Sequence, residues 1–294
     1  MLLALTRHPL LNGWALFAAI SLPLSLMMVV ESFQVDLRTG SGVSAMIGYS
    51  VRYSVPLIYL VIAISALHKL FPGILTAWLL RNRKYFGLCF AVAMGWQALF
   101  IATMSVGFND YYYEQVYVLR DEIEGSVGYI FLVFMVLTSF RTFRRHLSGR
   151  QWRLLHTSGV YFLWAYPFAV YWWNLSYYGN ALWYDYAFYW AGFLAFALRI
   201  AAWGKQRAVQ LNNPVGLAQK LVGFLLIGLG LLLSATGLQW QDPLTTWLTT
   251  PAWSEEMVLW LPFWPFEPFL PLLVLGLAVA ILTQPLRGLK PAHG

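Results

Sequence analysis

The sequence predicts an all-α, polytopic membrane helix bundle of about eight transmembrane helices with both termini in the cytoplasm. The first observation behind this is the composition, since 60% of the 294 residues are apolar and only 11% are charged. The second is a mean hydropathy of +0.61. The third is that basic and acidic residues alternate between successive loops. So few charges cannot cover a water-facing surface, and the apolar runs leave no room for a soluble catalytic domain of ordinary size.

Eight apolar runs between charged segments define the predicted transmembrane helices. They cover residues 12–30, 51–67, 86–107, 127–140, 157–173, 186–203, 221–237 and 263–283. The first run follows Arg7, as in a signal anchor, but Glu31 and Ser32 come after it in place of a small-residue cleavage site. We therefore expect this run to remain as the first helix.

The charged residues predict how the bundle is oriented. Alternate loops hold sixteen of the nineteen basic residues: Arg7, Lys69, Arg81, Arg83, Lys84, Arg141, Arg144, Arg145, Arg150, Arg153, Arg199, Lys205, Arg207, Lys220, Arg287 and Lys290. The other loops hold all twelve acidic residues. Basic loops face the cytoplasm, so the net charge of +7 is a topology signal toward anionic lipid headgroups and not the footprint of a nucleic acid. The single cysteine, Cys89, excludes a disulfide framework and a thiolate metal cluster.

Two aromatic clusters lie between the predicted helices. One contains Tyr111, Tyr112 and Tyr113, and the other extends over residues 171–190. We interpret both as interfacial belts of amphipathic rings, although a quinone or lipid groove has the same composition. Residues 251–262 are expected to form a short amphipathic helix along the outer membrane surface. No glycine-rich phosphate loop of the GxxxxGK[ST] or GxGxxG type occurs, so nucleotide-driven transport is not expected within this chain.

Five short segments in a fixed order resemble a known family. They are GYSVR at 48–52, RKYFGL at 83–88, SVGY at 126–129, LTS at 137–139 and SGRQWRLLH at 148–156. Together they resemble the ferric reductase-like transmembrane family, in particular its bacterial branch, the haem-binding membrane subunits of methionine sulfoxide reductase systems. The resemblance implies a six-helix bundle over residues 1–205, a two-helix C-terminal membrane extension over 206–294, and a location in the bacterial inner membrane.

The resemblance also implies electron transfer through b-type haem held by histidines on the third and fifth helices, one site in each leaflet. At the two outer-leaflet positions this sequence has Gln97 and Ala169. A carboxamide is a poor iron ligand and a methyl group is none, so we expect outer-leaflet haem ligation to be lost. His156 is the remaining histidine of the family's set, and the positions opposite it hold Arg83 and Lys84, which donate nothing to iron.

Three cofactor-binding candidates follow: His156, His68 and Arg52. His68 lies at the depth of His156 on the second helix, so the pair is a candidate for one inner-leaflet haem b, but both can equally be interfacial histidines bonded to loop carbonyls. Arg52 would suit a haem propionate; without haem we expect it to pair with an outer-loop acid, such as Glu267, or to snorkel. Glu267 is expected to be solvated. No catalytic residue and no metal site is predicted.

Three functions remain open from the sequence. The first is an accessory or partner-binding membrane subunit that binds no cofactor, with the lipid bilayer and a membrane protein as its partners. The second is a transmembrane electron-transfer subunit that uses one inner haem, or a quinone or flavin, with a separate donor protein. The third is a transporter or channel, which is disfavoured because the centres of the predicted helices carry almost no charge. Whether the chain is an enzyme is left open.

Overall fold

A computed structural model describes residues 6–209 and 215–283, and within them the chain is helical with no strand. The basic residues Arg287 and Lys290, used above to predict orientation, lie outside the described residues. Ten helices of nine residues or more are present in the described part. They are α1 (Gly13–Ser32), α2 (Gly40–Leu70), α3 (Ile74–Gly107), α4 (Leu119–Leu137), α5 (Gly149–Ser176), α6 (Trp183–Ala208), α7 (Leu217–Ala235), α8 (Gly237–Thr249), α9 (Ala252–Trp260) and α10 (Leu270–Leu282).

Five helices among the described residues, namely α1, α2, α3, α6 and α7, are long and apolar enough to cross a membrane. A further apolar stretch, Glu267–Leu282, is shorter. The predicted all-α fold, with several helices long and apolar enough to cross a membrane, is therefore confirmed, while the count of eight spans and the location of both termini stay predictions. The fourth and fifth predicted spans do form helices, but α4 begins in an acidic segment and α5 is rich in tyrosine, tryptophan and basic residues, which lowers the hydropathy of both.

Most helices extend beyond the predicted apolar runs because their ends are set by capping residues in the loops. The Thr39 side chain accepts a hydrogen bond from Gly42 N and starts α2 eleven residues before the predicted span. Ser148 and Gln151 form a reciprocal capping box that starts α5 at Gly149. The apolar runs cannot reveal such caps, because a cap accepts hydrogen bonds from the first free N–H groups of a helix and buries no apolar surface.

The last predicted span begins too early. Residues 263–283 were expected to be helical, but α10 begins at Leu270, after a short 3-10 turn over Glu267–Phe269. Phe263 and Phe266 have φ angles of 65° and 70°, outside the helical region. Pro265, Pro268 and Pro271 explain the difference, because proline lacks the N–H that a continuous helix needs and restricts the residue before it.

The second to fifth helices form a four-helix centre, as predicted. Helix α2 packs on α3 and on α5, and α4 packs on α5 and touches α3 over a short stretch. Helices α3 and α5 therefore face each other diagonally across the centre. Helix α1 covers α3, while α6 packs on α2 and α5. In the C-terminal part, α7 packs on α10, α10 packs on α6, α8 contacts α5, and α9 contacts α4.

The four-helix centre has two chemically different ends. At the basic end, where α2, α4 and α6 finish, Arg81 Nη2 donates to Asn12 Oδ1 (2.8 Å), and Lys205 Nζ donates to the Lys69 carbonyl (2.8 Å). At the acidic end, Tyr53 donates to Glu31 (3.0 Å). We call these the basic end and the acidic end of the bundle.

Candidate functional site: a basic cavity in the four-helix centre

A cavity of about 590 Å³ opens inside the basic end of the four-helix centre. This volume lies within the roughly 300–1,000 Å³ that small-molecule sites occupy. Its walls come from α2, α3, α4, α5 and α6 and from the loop between α4 and α5. The polar lining consists of Ser65, Arg83, Lys84, Thr138, Ser139, Arg144, Trp152, Arg153, His156, Thr157, Tyr161 and Arg199.

Helical spacing brings the residues of each wall together. On α3, Arg83 and Gly87 are four residues apart, as are Lys84 and Leu88, so they share one face. On α5, the early start at Gly149 puts Trp152, Arg153, His156, Thr157 and Val160 on one helical stripe along the cavity. The part of α5 that precedes its apolar run therefore supplies three of the polar lining residues, Trp152, Arg153 and His156.

Five cationic side chains line the cavity, and none of the twelve Asp and Glu residues does. Arg199 is partly immobilised, because its Nε donates to Tyr161 Oη (2.9 Å) and its Nη1 donates to Ser65 Oγ (3.1 Å). Arg83 Nε donates to the Val61 carbonyl (3.1 Å). These two guanidinium groups are close enough to repel each other. The cavity is therefore an electropositive space without an internal counter-charge.

Three of the cations lie over aromatic rings, and one of them is Arg199, whose guanidinium is 4.9 Å from the centre of the Tyr161 ring. The ammonium group of Lys84 lies 5.0 Å from the centre of the Phe140 ring. The guanidinium of Arg144 lies 5.0 Å from the Trp152 ring, and its Nη1 donates to the Leu147 carbonyl (2.9 Å). Contacts of this kind hold a cation in place without neutralising its charge.

His156 lines this cavity, as its position at the basic end of the fifth helix predicts. Its Nε2 shares a hydrogen bond of 3.0 Å with Thr138 Oγ1, and its ring lies 4.4 Å from the Trp152 ring. His68 does not line the cavity. Its Nδ1 shares a hydrogen bond of 3.1 Å with Thr76 Oγ1 in the turn between α2 and α3. The structure thus does not bring the two candidate histidines together there.

The residues present do not fit a haem held by two imidazoles. One imidazole nitrogen of His156 is engaged by Thr138, and the α3 wall opposite presents Arg83 and Lys84, which have no lone pair for iron. Within the described residues, no group of three or more His, Cys, Asp or Glu side chains is arranged to hold a metal ion. Among the described residues that line the cavity, His156 is the only imidazole, and Met135 and Tyr161 are the other lining side chains of types that ligate haem iron.

The two outer-leaflet positions are engaged in packing. Gln97 on α3 accepts a hydrogen bond from Tyr129 Oη on α4 (2.9 Å), and the same hydroxyl is 3.2 Å from the Met94 carbonyl. Ala169 on the diagonal helix α5 is completely buried and belongs to the main hydrophobic core. Met94, Tyr129 and many aromatic side chains pack against the same core.

Arg52 lies at the other end from the basic cavity. Its guanidinium is 4.5 Å from the centre of the Tyr184 ring and 5.3 Å from that of Tyr49. It forms no ion pair with Glu267, the acid considered as its partner. The expectation that Glu267 is solvated is wrong, since its exposed fraction is 2% and it accepts a hydrogen bond from Trp173 Nε1 (3.3 Å). The proline-rich turn before α10 folds this carboxyl group inward.

The first aromatic cluster is only partly an exposed belt. Tyr112 is buried and donates a hydrogen bond to Glu122, whereas Tyr113 is 58% exposed. Burial raises the pKa of Tyr112, and the bond to the Glu122 carboxylate raises it further. The segment Tyr112–Val116 forms one turn of π-helix that turns the cluster back on the bundle.

Sequence reasoning missed Thr138, Arg144 and Arg199 as members of one site. Thr138 directly follows α4, Arg144 lies in the next loop and Arg199 lies on α6, and only packing brings them to His156. The basic residues at the helix ends on this side could have indicated the site, but we interpreted them only as evidence for the orientation of the bundle. Comparisons with protein-family models, with curated proteins and with solved structures found no match for this chain.

Proposed function

We propose that this chain is an accessory, partner-binding subunit of the bacterial inner membrane, built on a ferric reductase-like scaffold that has lost outer-leaflet haem ligation. Its five long apolar helices are compatible with an integral membrane protein. The family, the membrane and the partner are parts of the proposal.

The proposal rests on the surroundings of Gln97 and Ala169, the two positions where the resemblance implies haem ligands. They lie on the two helices that face each other diagonally, where the family holds its outer haem. Gln97 binds Tyr129, and Ala169 is 0% exposed within the core. Packing of both side chains within the bundle supports a scaffold function over electron transfer.

Exposed aromatic residues at the acidic end support contact with a partner. Tyr177, Tyr178 and Trp183 are exposed by 60%, 65% and 79%, and they lie in the loop and first turn between α5 and α6. Large exposed rings of this kind are enriched at protein interfaces and at membrane surfaces. The partner is proposed to dock on this face or on the basic loops at the other end.

An absorption spectrum of the purified protein tests this function. The protein is produced in cells supplied with a haem precursor and measured oxidised and after reduction with dithionite. We expect no stoichiometric Soret band. A stoichiometric spectrum of haem with two imidazole ligands would contradict the proposal.

A second function, electron transfer through one inner haem, a quinone or a flavin, is favoured by the position of His156 in the cavity. This second proposal includes a separate donor protein. The matched variants are His156→Ala and His68→Ala. Loss of a bound chromophore in the first and its retention in the second would favour electron transfer, whereas unchanged cofactor content in both favours the accessory subunit.

A further inference from the structure

The basic cavity holds more positive charge than the surrounding protein neutralises. Its five cations face none of the chain's acidic side chains, and the ion pair found among the described residues, Arg120–Glu124, lies at the acidic end. Arg83, Arg144 and Arg199 donate hydrogen bonds to oxygen atoms of the protein, whereas Lys84 and Arg153 are exposed at the mouth. Cationic side chains grouped around a cavity without a carboxylate attract negative charge. This grouping points to an anion that comes from outside the chain.

Several donors of the cavity have no acceptor in the described part of the protein. The indole N–H of Trp152 is buried without a hydrogen-bond partner. Arg153 forms no hydrogen bond with the described residues, and Lys84 contacts ring faces only. A phosphate group offers several strong acceptor oxygens and more than one negative charge, so it satisfies such a donor set better than a single carboxylate does.

The deeper wall of the cavity is apolar. Ile58, Leu132, Val136, Val160 and Leu163 line it, and Leu132, Val160 and Leu163 are nearly inaccessible to solvent. A ligand that fills the whole space therefore needs a charged head and a hydrocarbon part. Amphiphiles with a phosphate headgroup have this division.

The cavity opens at the basic end. Leu80, Lys84, Arg153 and Thr157 are its exposed lining residues, so they mark the mouth. Tyr129 joins α4 to α3 farther toward the acidic end, and the cavity separates the same two helices at the basic end. The exposed residues of the mouth lie on α3 and α5, so a ligand enters the cavity between these two helices.

We propose that the basic cavity binds an amphiphile whose phosphate headgroup carries a net negative charge, with the phosphate among Lys84, Trp152 and Arg153 and the hydrocarbon chain along the α4 and α5 wall. The inference goes beyond the proposed function and holds whether or not the chain serves a partner. A phosphate can come from a lipid headgroup or from a soluble phosphorylated compound; the apolar wall favours the lipid.

Native mass spectrometry of the full chain released from nanodiscs tests the proposal. One arm uses phosphatidylcholine with a minor fraction of phosphatidic acid, and we expect one phosphatidic acid retained per chain in preference to phosphatidylcholine. The second arm adds inorganic phosphate or glycerol phosphate at millimolar concentration as a competitor. Retention of the lipid supports a lipid source, whereas its displacement supports a phosphate site filled from solution.

Two pairs of matched variants assign the retained lipid to the cavity. Arg153→Gln removes a charge at the mouth, and Arg150→Gln makes the same change one turn earlier on α5 outside the cavity. Loss of one charge-assisted hydrogen bond corresponds to about a tenfold weaker retention, expected for Arg153→Gln only. Gly87→Leu places a side chain into the cavity, where a Cβ meets nothing within 4 Å, and Gly95→Leu is its control elsewhere on α3.

Three results would overturn the proposal. The first is equal retention of phosphatidic acid and phosphatidylcholine with no effect of soluble phosphate. The second is the same retention in Arg153→Gln as in Arg150→Gln. The third is a haem in the purified protein that is lost in Gly87→Leu and kept in Gly95→Leu. Because Arg153 is exposed, its variant is expected to fold even if Gly87→Leu does not.

Discussion

Glu124 is a carboxylate at the acidic end that joins α4 to the segment before α10. Its exposed fraction is 4%, and Oε1 accepts hydrogen bonds from Arg120 Nε (3.1 Å) and from the backbone N–H of Phe263 (2.8 Å). The Phe263 N–H belongs to a residue with positive φ, so no helix satisfies it. The Glu124 side chain thus accepts hydrogen bonds from a partly buried arginine and from a buried backbone donor.

We predict that Glu124→Ala strongly destabilises the protein. The substitution leaves the partly buried Arg120 guanidinium and the Phe263 N–H without this acceptor, and loss of a hydrogen bond to a charged group costs about 1.5–3 kcal/mol. Thermal unfolding in a mild detergent measures the change as a lower Tm. Glu114→Gln, an exposed acid at the same end, is the control and is expected to leave the Tm unchanged. Equal Tm values for the two variants would show that Glu124 does not hold the segment.

The hydrogen bond between Tyr129 and Gln97 gives a second prediction for individual residues. Tyr129→Phe is expected to cost about 0.5–1.5 kcal/mol, the net contribution of one hydrogen bond. Because Gln97 is one acceptor of this hydroxyl, Gln97→Ala in the Tyr129→Phe background should add less than it costs alone. A double-mutant cycle from thermal unfolding measures the coupling. Strictly additive effects would mean that the two side chains do not interact.

At the scale of helices, close approach depends on glycine. A Cβ built at Gly159, Gly192, Gly204 or Gly223 would lie under 3.0 Å from a side chain of a neighbouring helix. The neighbours are Met135, Tyr59, Val279 and Leu282 respectively. Small residues at such positions let the backbone of one membrane helix contact the side chains of the next. The resulting van der Waals contacts stabilise helix pairs in lipid, where the hydrophobic effect contributes little to their association.

Gly192→Ala is expected to separate α6 from α2. The new Cβ would lie 2.7 Å from Cζ of Tyr59, whose ring is buried and cannot move away freely. Overpacking of this kind costs about 1–3 kcal/mol. Gly95→Ala is the matched control, because nothing lies within 4 Å of its Cβ and alanine favours a helix by about 0.5–1 kcal/mol. A lower Tm for Gly95→Ala than for Gly192→Ala would contradict this account of the interface.

The sequence predicts helices better than it predicts their ends or their shared cavity. Each of the eight apolar runs coincides with a helix, because burial in lipid or in the core leaves a long hydrophobic signature. Helix α8 was not predicted, since it is short and carries Gln241 and Asp242. The cavity was not predicted either, because Arg199 and Thr138 are separated from His156 by 43 and 18 residues and meet it only after packing.

For the whole molecule, the separation of charges has a structural counterpart. The basic loops meet at one end, where Arg81 contacts Asn12 and Lys205 contacts Lys69. The buried acids Glu124 and Glu267 lie at the other end. Such an asymmetry favours the basic end on the side of the membrane with the greater negative surface charge, which also supplies anionic ligands to the basic cavity.

Labelling of single cysteines tests this orientation. Cys89 is the single cysteine of the sequence, so a Cys89→Ala background carries no native thiol. Its side chain is completely buried, with Sγ 3.4 Å from Ser21 Oγ, so the substitution leaves the protein surface unchanged. In intact cells, a maleimide that cannot cross the membrane is expected to modify Glu114→Cys at the acidic end and not Arg150→Cys at the basic end. After permeabilisation, both exposed positions should react equally. Labelling of Arg150→Cys in intact cells would place the basic loops outside. In that case lipids of the inner leaflet could not enter the cavity, because its mouth at Lys84 and Arg153 would face the opposite leaflet.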